Sequence, residues 1–255
     1  MMQRDWSRIP TSTFWGALLR LPLRAIPKGT TVTVRSGINR GMKWIVGSSI
    51  HGCWLGTYEL EKQSIIKRFV RPGMTVFDIG ANVGFYTLAF SRLVGEEGHV
   101  WAFEPLAENA SNILRHVNLN KLDNVTFLQA AVSDRNGIVG FNIGESNSIG
   151  SISQANALYK IPTIALDRLI ADGVIPIPDL IKMDVEGAES LVLSGAKELF
   201  SRKKTTLFIA LHSDDQQRKC AEFLRSSGYE IHLLDGQTAV GELTSDEIYA
   251  TPSAA

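Results

Sequence analysis

The residues best suited to chemistry sit in two short acidic segments. One reads Asp184-Val-Glu186-Gly-Ala-Glu189 and the other His212-Ser-Asp214-Asp215. A histidine with an ordinary pKa of ~6.5 can take a proton from a weakly acidic group near neutral pH. Neighbouring carboxylates can orient it, or raise the pKa of one member of a pair. His212, Asp184 and Glu186 are therefore the candidate catalytic residues, for proton abstraction from a hydroxyl nucleophile. Glu189 reads instead as an acid at a helix start, complementing the helix dipole. Asp214 or Asp215 reads as a helix cap. Asp184, Glu186, His212 and Asp214 would also suit Mg²⁺ or Ca²⁺, which take hard oxygen ligands. The sequence leaves a metal open and assigns it no ligand set.

A second constellation is Thr75-Val-Phe-Asp78-Ile-Gly80-Ala-Asn82-Val-Gly84-Phe-Tyr-Thr87. It reads as a strand, a glycine-rich turn and a helix, the place where an open α/β sheet binds ligands. Gly80 would let a ligand approach the backbone, and Gly84 would let the helix pack tightly on its strand. Glu104 lies 20 residues past Gly84, where an acid accepts hydrogen bonds from a ribose diol. The turn lacks the second glycine of G-x-G-x-x-G, and Asp78 adds negative charge that a pyrophosphate would not tolerate. A carboxylate there suits an ammonium. A ligand with a ribose, an amino-acid head and an adenine fits better, and S-adenosylmethionine has all three. In Gln129-Ala-Ala-Val-Ser-Asp134, Ala131 and Val132 could pack on the adenine, with Asp134 or a backbone group at its amino edge. Trp44 and Trp54, with Tyr58, are available to stack on a sugar ring, and core packing is the alternative.

These groups need a scaffold that brings strand ends together. Thr30–Arg35 and Lys43–Val46 read as a hairpin, and residues 58–70 as a helix stopped by Pro72-Gly73. From residue 74 apolar strands alternate with amphipathic helices. Strands are expected at Met74–Ile79, His99–Glu104, Val125–Val132, Leu180–Val185, Thr206–Leu211, Tyr229–Leu234 and Glu247–Thr251. Helices are expected over 83–94, 107–119, 188–199 and 215–227, with an extra strand at Ile138–Ile143 and a short helix at Leu166–Ala171. This pattern builds βαβ units around a mostly parallel sheet covered on both faces. Both acidic segments then fall at the carboxyl edge, beside the glycine-rich turn. Ser146–Ser153 reads as a polar loop, either solvated or contacting substrate.

Several separate motifs, in order, resemble the FkbM-type methyltransferases. They are Tyr58-Glu59 before a helix, Phe77-Asp-Ile-Gly-Ala-Asn-Val-Gly-Phe-Tyr86, Phe103-Glu-Pro105, Ala131-Val-Ser-Asp134, Leu166-Asp-Arg-Leu169 and Ile181-Lys-Met-Asp184-Val-Glu186-Gly-Ala-Glu189. The resemblance spans residues 52–235. It implies a Rossmann-like class I methyltransferase sheet of seven strands with the last antiparallel. It also implies S-adenosylmethionine as cofactor and O-methylation of sugar or natural-product hydroxyls. Carried over by position, Asp78, Gly80, Asn82, Gly84, Thr87, Glu104, Pro105, Ala131, Val132, Asp134 and Asp184 would line the cofactor site, with Tyr58 and Glu59 approaching it. A protein or other small-molecule acceptor, or a non-catalytic S-adenosylmethionine-binding domain, stands as the alternative. On this reading residues 1–57 are an N-terminal helix and hairpin extension, and 58–255 the methyltransferase domain.

Composition sets outer limits. The 255 residues carry 26 basic and 26 acidic side chains and are 44% hydrophobic, an ordinary globular make-up. Zero net charge argues against nucleic-acid binding through bulk charge. The neutral sum hides a segregation: residues 1–28 hold five basic side chains and one acidic. That segment, with Trp6, Phe14 and Trp15, reads as a short helix over 12–21, either packed on the domain or touching a membrane surface. Cys53 and Cys220 match no metal spacing and read as reduced thiols. With no long apolar run, the expectation is a cytoplasmic protein. His51, His99, His116 and His232 read as structural. The oligomeric state is left open.

Overall fold

The computed structural model describes Leu23 and residues 25–143, 150–152 and 159–253. The helix expected over 12–21 and most of Ser146–Ser153 lie outside the described residues. The chain opens with β1 (Thr31–Thr33) and β2 (Lys43–Ile45), then α1 (His51–Leu55) and α2 (Leu60–Phe69). Next come β3 (Thr75–Ile79), α3 (Phe85–Val94), β4 (His99–Phe103), α4 (Ala107–Asn120) and β5 (Val125–Leu128). A middle section holds β6 (Ala131–Val132), β7 (Gly137–Ile143), β8 (Gly150–Ile152), β9 (Tyr159–Ile164) and α5 (Leu166–Ala171). The last part runs β10 (Leu180–Met183), α6 (Glu189–Ser194), α7 (Lys197–Ser201), β11 (Thr206–Ala210), α8 (Asp214–Ser226), β12 (Tyr229–Leu233) and β13 (Glu247–Pro252).

Seven strands form the main sheet in the order β12-β13-β11-β10-β3-β4-β5. All neighbours pair in parallel except β13, which is antiparallel to both β11 and β12. The strands are apolar throughout because both faces are covered, and the two-residue period sorts their side chains. Phe77, Ile181, Leu207 and Ile209 join the core beneath α6, α7 and α8. Val76, Leu180 and Phe208 join the opposite core, beneath α2 and α3. The expected hairpin is present as β1 and β2, and its Val34, Trp44 and Val46 belong to that second core. The core therefore runs across the expected boundary at residue 57. Trp44 stacks on His116 at 4.0 Å between ring centroids. His116 donates from Nδ1 to the Val83 carbonyl at 2.9 Å and accepts at Nε2 from the Ile45 amide at 3.2 Å. Burial pushes its pKa down to about 4, which suits that neutral, structural role.

Three details differ from the sequence pattern. The run Val125–Val132 is two strands: after β5 the chain turns at Ala130, and Ala131–Val132 pairs in parallel with β9 in a separate four-stranded sheet. The helix expected over 188–199 is two short helices broken at Gly195. Part of the polar stretch, Gly150–Ile152, is β8, paired antiparallel with β7. Cys53 and Cys220 are both buried and free. Among the described residues no helix is long and apolar enough to cross a membrane.

Candidate active site

The glycine-rich turn starts where β3 ends. The amides of Gly80 and Ala81 both donate to the Phe103 carbonyl, each at 3.0 Å, which ties the turn to the end of β4. Asn82 adopts a left-handed backbone, φ 50°, and its side-chain Oδ1 accepts from the Val83 amide at 2.8 Å. Asn is among the few residues besides Gly that take this conformation readily. That is why the turn works without its second glycine. Gly80 has φ +72°, and a Cβ there would lie 1.8 Å from the Asp184 carbonyl oxygen. The close approach expected at Gly80 is thus made by this chain's own β10 tip. Gly80→Ala is expected to destabilise the fold by more than ~3 kcal/mol, through strain and overlap together. Urea unfolding would read this, and a loss below ~1 kcal/mol would refute it.

Glu104 follows β4 directly and is only 5% exposed. Its Oε2 accepts from the Asn82 amide at 2.9 Å, and its Oε1 from the Leu106 amide at 3.0 Å and Asn109 Nδ2 at 3.2 Å. Burial pushes its pKa up to about 7, against the lowering pull of those three hydrogen bonds and of Lys182. An ionised carboxylate offers about four lone-pair sites, so Oε2 keeps one for a further donor.

Glu104 forms part of the wall of a cavity of about 320 Å³, a size suited to a small ligand. Tyr58, Gly80, Asn82, Pro105, Ala131, Val132, Asp184 and Glu186 line the same cavity. The other expected cofactor residues do not. Asp78 is fully buried: Thr87 donates its hydroxyl to Oδ2 at 2.6 Å, and Lys182 Nζ lies 3.4 Å from Oδ1. Its charge is already matched, so it faces no ligand ammonium, and Thr87 is spent on it. Gly84 caps α3 behind the wall. Glu59 accepts from the Tyr86 hydroxyl at 2.7 Å and pairs with Lys62 at 3.4 Å. Asp134 points to Arg135, at 3.5 Å. Trp44 is fully buried, and Trp54 is in the core with Nε1 on His51 at 3.2 Å, so neither can stack on a sugar.

Lys182 is a wall residue that sequence reasoning missed. It is the one charged residue in the apolar run of β10, and it pairs in register with Asp78 on β3. Nζ donates to the Gly80 carbonyl at 2.9 Å and lies 4.0 Å from Asp184 Oδ2. Burial works to lower its pKa, but Asp78, Asp184 and Glu59 outweigh that and raise it.

The three expected catalytic residues do come together. His212 Nε2 is 3.4 Å from Asp184 Oδ1 and 3.3 Å from Glu186 Oε2. Its other nitrogen, Nδ1, is 2.7 Å from Glu189 Oε1. Asp184 supplies its carboxylate from just beyond β10. Glu186 does so from a left-handed residue, φ 54°, a strained conformation of the kind that clusters at functional sites. His212 follows β11, and α8 begins two residues on, capped by Ser213 rather than by either aspartate. The His212 pKa is raised first by the hydrogen bond to Glu189, against burial, and further by Glu186 and Asp184. Burial would raise Asp184, but Lys182, Lys62 and His212 hold it below its usual range. Glu186 is raised by burial, with Asp184 and Glu189 adding to that against the pull of His212.

Asp184, Glu186 and His212 each place one ligand-type atom within 4.8 Å of the others, a spacing that a divalent cation would accept. A protonated imidazole meets the same two carboxylates without one. Asp214, the fourth ligand considered, lies in the first turn of α8, outside this group.

A parallel sheet with one antiparallel strand, a glycine-rich first turn and an acid at the end of the second strand define a class I S-adenosylmethionine-dependent methyltransferase. The cavity fits that cofactor: Glu104 has a free acceptor site for a ribose hydroxyl, and Ala131, Val132 and Leu106 offer apolar surface for an adenine. The methyltransferase FkbM domain matches residues 78–231, and the chain belongs to that family. It is 28% identical over 174 residues to the 2-O-methyltransferase NoeI of Sinorhizobium fredii, covering 61% of this chain and 69% of that protein. It is 25% identical over 200 residues to the 31-O-demethyl-FK506 methyltransferase FkbM of Streptomyces tacrolimicus, covering 64% and 75% respectively. The crystal structure of methyltransferase FkbM from Methylobacillus flagellatus superposes with a TM-score of 0.51 at 19% identity, over 76% of this chain. This chain spans half the length of that one.

Proposed function

We propose that this chain is an O-methyltransferase that methylates a hydroxyl of a sugar or other natural-product small molecule. The observation that carries this is one cavity lined both by Glu104, with its free acceptor site, and by Asp184 and Glu186, whose carboxylates hold His212. When bound, S-adenosylmethionine supplies an electrophilic methyl on a sulfonium whose leaving group is neutral. An aliphatic hydroxyl is a poor nucleophile while protonated, so the protein's task is to remove that proton. Neutral His212 accepts it at Nε2, and Asp184 and Glu186 stabilise the imidazolium formed. Apolar cofactor walls and the half-buried Tyr58 limit water near the reacting atoms. Support for a hydroxyl acceptor comes from two relatives, one named a 2-O-methyltransferase and one a 31-O-demethyl-FK506 methyltransferase.

Isothermal titration with S-adenosylmethionine and S-adenosylhomocysteine is expected to give binding in the micromolar range, at about −8 kcal/mol. Absence of heat at millimolar ligand would end this reading. Transfer of radiolabelled methyl would then be screened over methyl glycosides and polyhydroxylated macrocycles. Chelation with EDTA is expected to leave the rate unchanged, because the imidazole is the base. A rate that EDTA abolishes and Mg²⁺ or Ca²⁺ restores would make the cluster a cation site instead.

A further inference from the structure

Glu189 is fully buried, at the first residue of α6. Its Oε1 takes the Gly187 amide at 2.8 Å and contacts His212 Nδ1 at 2.7 Å. Its Oε2 is buried without a hydrogen-bond partner among the described residues. A buried carboxylate with a bare oxygen is costly, and it persists where a cation or a developing cation offsets it. His212, cationic once it has taken a proton, is the group in contact with it. The dipole of α6 is no substitute, since that helix is only six residues long. An ionised carboxylate can only accept, so Nδ1 must carry the proton. The ring then presents a bare Nε2 toward Asp184 and Glu186 whenever it is neutral. The contact is also braced from outside the segment: the amide of Ser190, next along α6, donates to Gln216 of α8 at 2.9 Å, which locks α6 against the helix that follows His212.

We propose that Glu189 is the positioning residue of the reaction, gripping His212 by Nδ1 so that Nε2 is the nitrogen that takes the acceptor's hydroxyl proton. This rests on the reading of His212 as the base. Glu189 itself is fully buried behind His212 and acts through it. Its role is to select one of two tautomers and to stabilise the charged ring once the proton has moved, as a buried acid does for histidine in other hydrolytic and transfer sites.

The test begins with the full-length protein labelled with ¹⁵N-histidine, the His212 signals being assigned by their loss in His212→Ala. The neutral His212 ring is expected to carry its proton on Nδ1; a proton on Nε2 would overturn the proposal. In Glu189→Gln the shape is kept and the charge removed. Its His212 titration midpoint is expected to fall by about one pH unit or more, and an unmoved midpoint would overturn the proposal. With the acceptor found in the glycoside and macrocycle screen, Glu189→Gln is expected to lower kcat at least about tenfold while leaving the S-adenosylmethionine Kd unchanged. Wild-type kcat in this variant would overturn the role. Should Glu189→Gln fail to fold, the tautomer of the wild-type ring decides. A wild-type protein that methylates nothing would sink the functional reading alone, with the tautomer still deciding the Glu189–His212 pairing.

Discussion

Replacing Glu104 with glutamine is expected to weaken S-adenosylmethionine binding by roughly 10- to 100-fold, the worth of one hydrogen bond to a charged acceptor at about 1.5–3 kcal/mol. The geometry says why glutamine is no substitute. Glu104 answers three N–H donors, from Asn82, Leu106 and Asn109, and both of its oxygens are needed. A glutamine amide turns one of those oxygens into a donor, which must then face an N–H. Either the glycine-rich turn loses its anchor at Asn82 or the start of α4 loses its anchor at Leu106. In the first case the free acceptor site on Oε2 is lost, and in the second it remains only on a neutral amide oxygen, a weaker acceptor than a carboxylate. The pH dependence supplies a second signature. A buried acid with its pKa raised to about 7 binds a proton more tightly in the folded protein than in the unfolded chain. Stability therefore falls as pH rises from the unfolded value near ~4.5 to ~7, by about 3 kcal/mol if cofactor is absent. A ribose hydroxyl that donates to the ionised form draws the pKa back down. Binding at pH 7 should then release roughly half a proton, measured by titration in buffers of different ionisation enthalpy. Glu104→Gln should bind with no proton release and lose the fall in stability over that range. An unchanged affinity in the variant would remove Glu104 from the cofactor site.

What could be read from residue order alone follows the range of the interactions involved. The strands of the main sheet announce themselves because both faces are buried, so Val76 and Phe77 can be adjacent and both apolar while joining opposite cores. The turn at Gly80 is equally local, since its backbone requirements belong to five consecutive residues. The reading fails where a residue's role depends on what a distant strand brings beside it. Asp78 looks like a ligand acid until Lys182 arrives from β10 in register and Thr87 from α3. Lys182 gives no signal of its own, because one lysine in an apolar strand is silent until its neighbour strand is known. Ala131–Val132 continues the apolar run of β5, and nothing in its composition says that it changes sheet. Glu189 satisfies a generic rule for helix starts, which conceals a contact with a histidine 23 residues on. Asp184, Glu186 and His212 could be grouped from sequence because all three sit at strand ends on one edge, and topology alone gathers such ends. Trp44 and Trp54 failed for the converse reason: aromatic size is used first by the core, and of these two and Tyr58 it is Tyr58 that lines the cavity.

His212→Ala is expected to cut kcat by roughly 10²- to 10⁴-fold, the usual contribution of a positioned general base. Cofactor affinity should stay the same, since His212 is not part of the cavity wall. The pH profile makes the test specific. A base works in its neutral form, so activity must rise with pH through the His212 pKa. That pKa lies above the ordinary 6.5, because the hydrogen bond to Glu189 favours the charged ring, Glu186 and Asp184 add to it, and burial only partly opposes them. The wild-type kcat is therefore expected to climb through a midpoint above ~6.5 and level off on the alkaline side. Asp184→Asn should separate the two roles of that carboxylate. Losing the negative charge 3.4 Å from Nε2 lowers the His212 midpoint, which moves the rise in activity to lower pH. It also takes from Lys182 the second of its two acidic neighbours, leaving Asp78, and the imidazolium formed in the reaction loses one of two carboxylates that stabilise it. The plateau kcat should fall even as the onset moves down, a combination that general damage to the site would not produce. In His212→Ala the rise should vanish, leaving a low rate that follows only the acceptor's own ionisation. A profile that kept its wild-type midpoint without the imidazole would assign proton removal to Glu186, the other group of the trio whose pKa is raised.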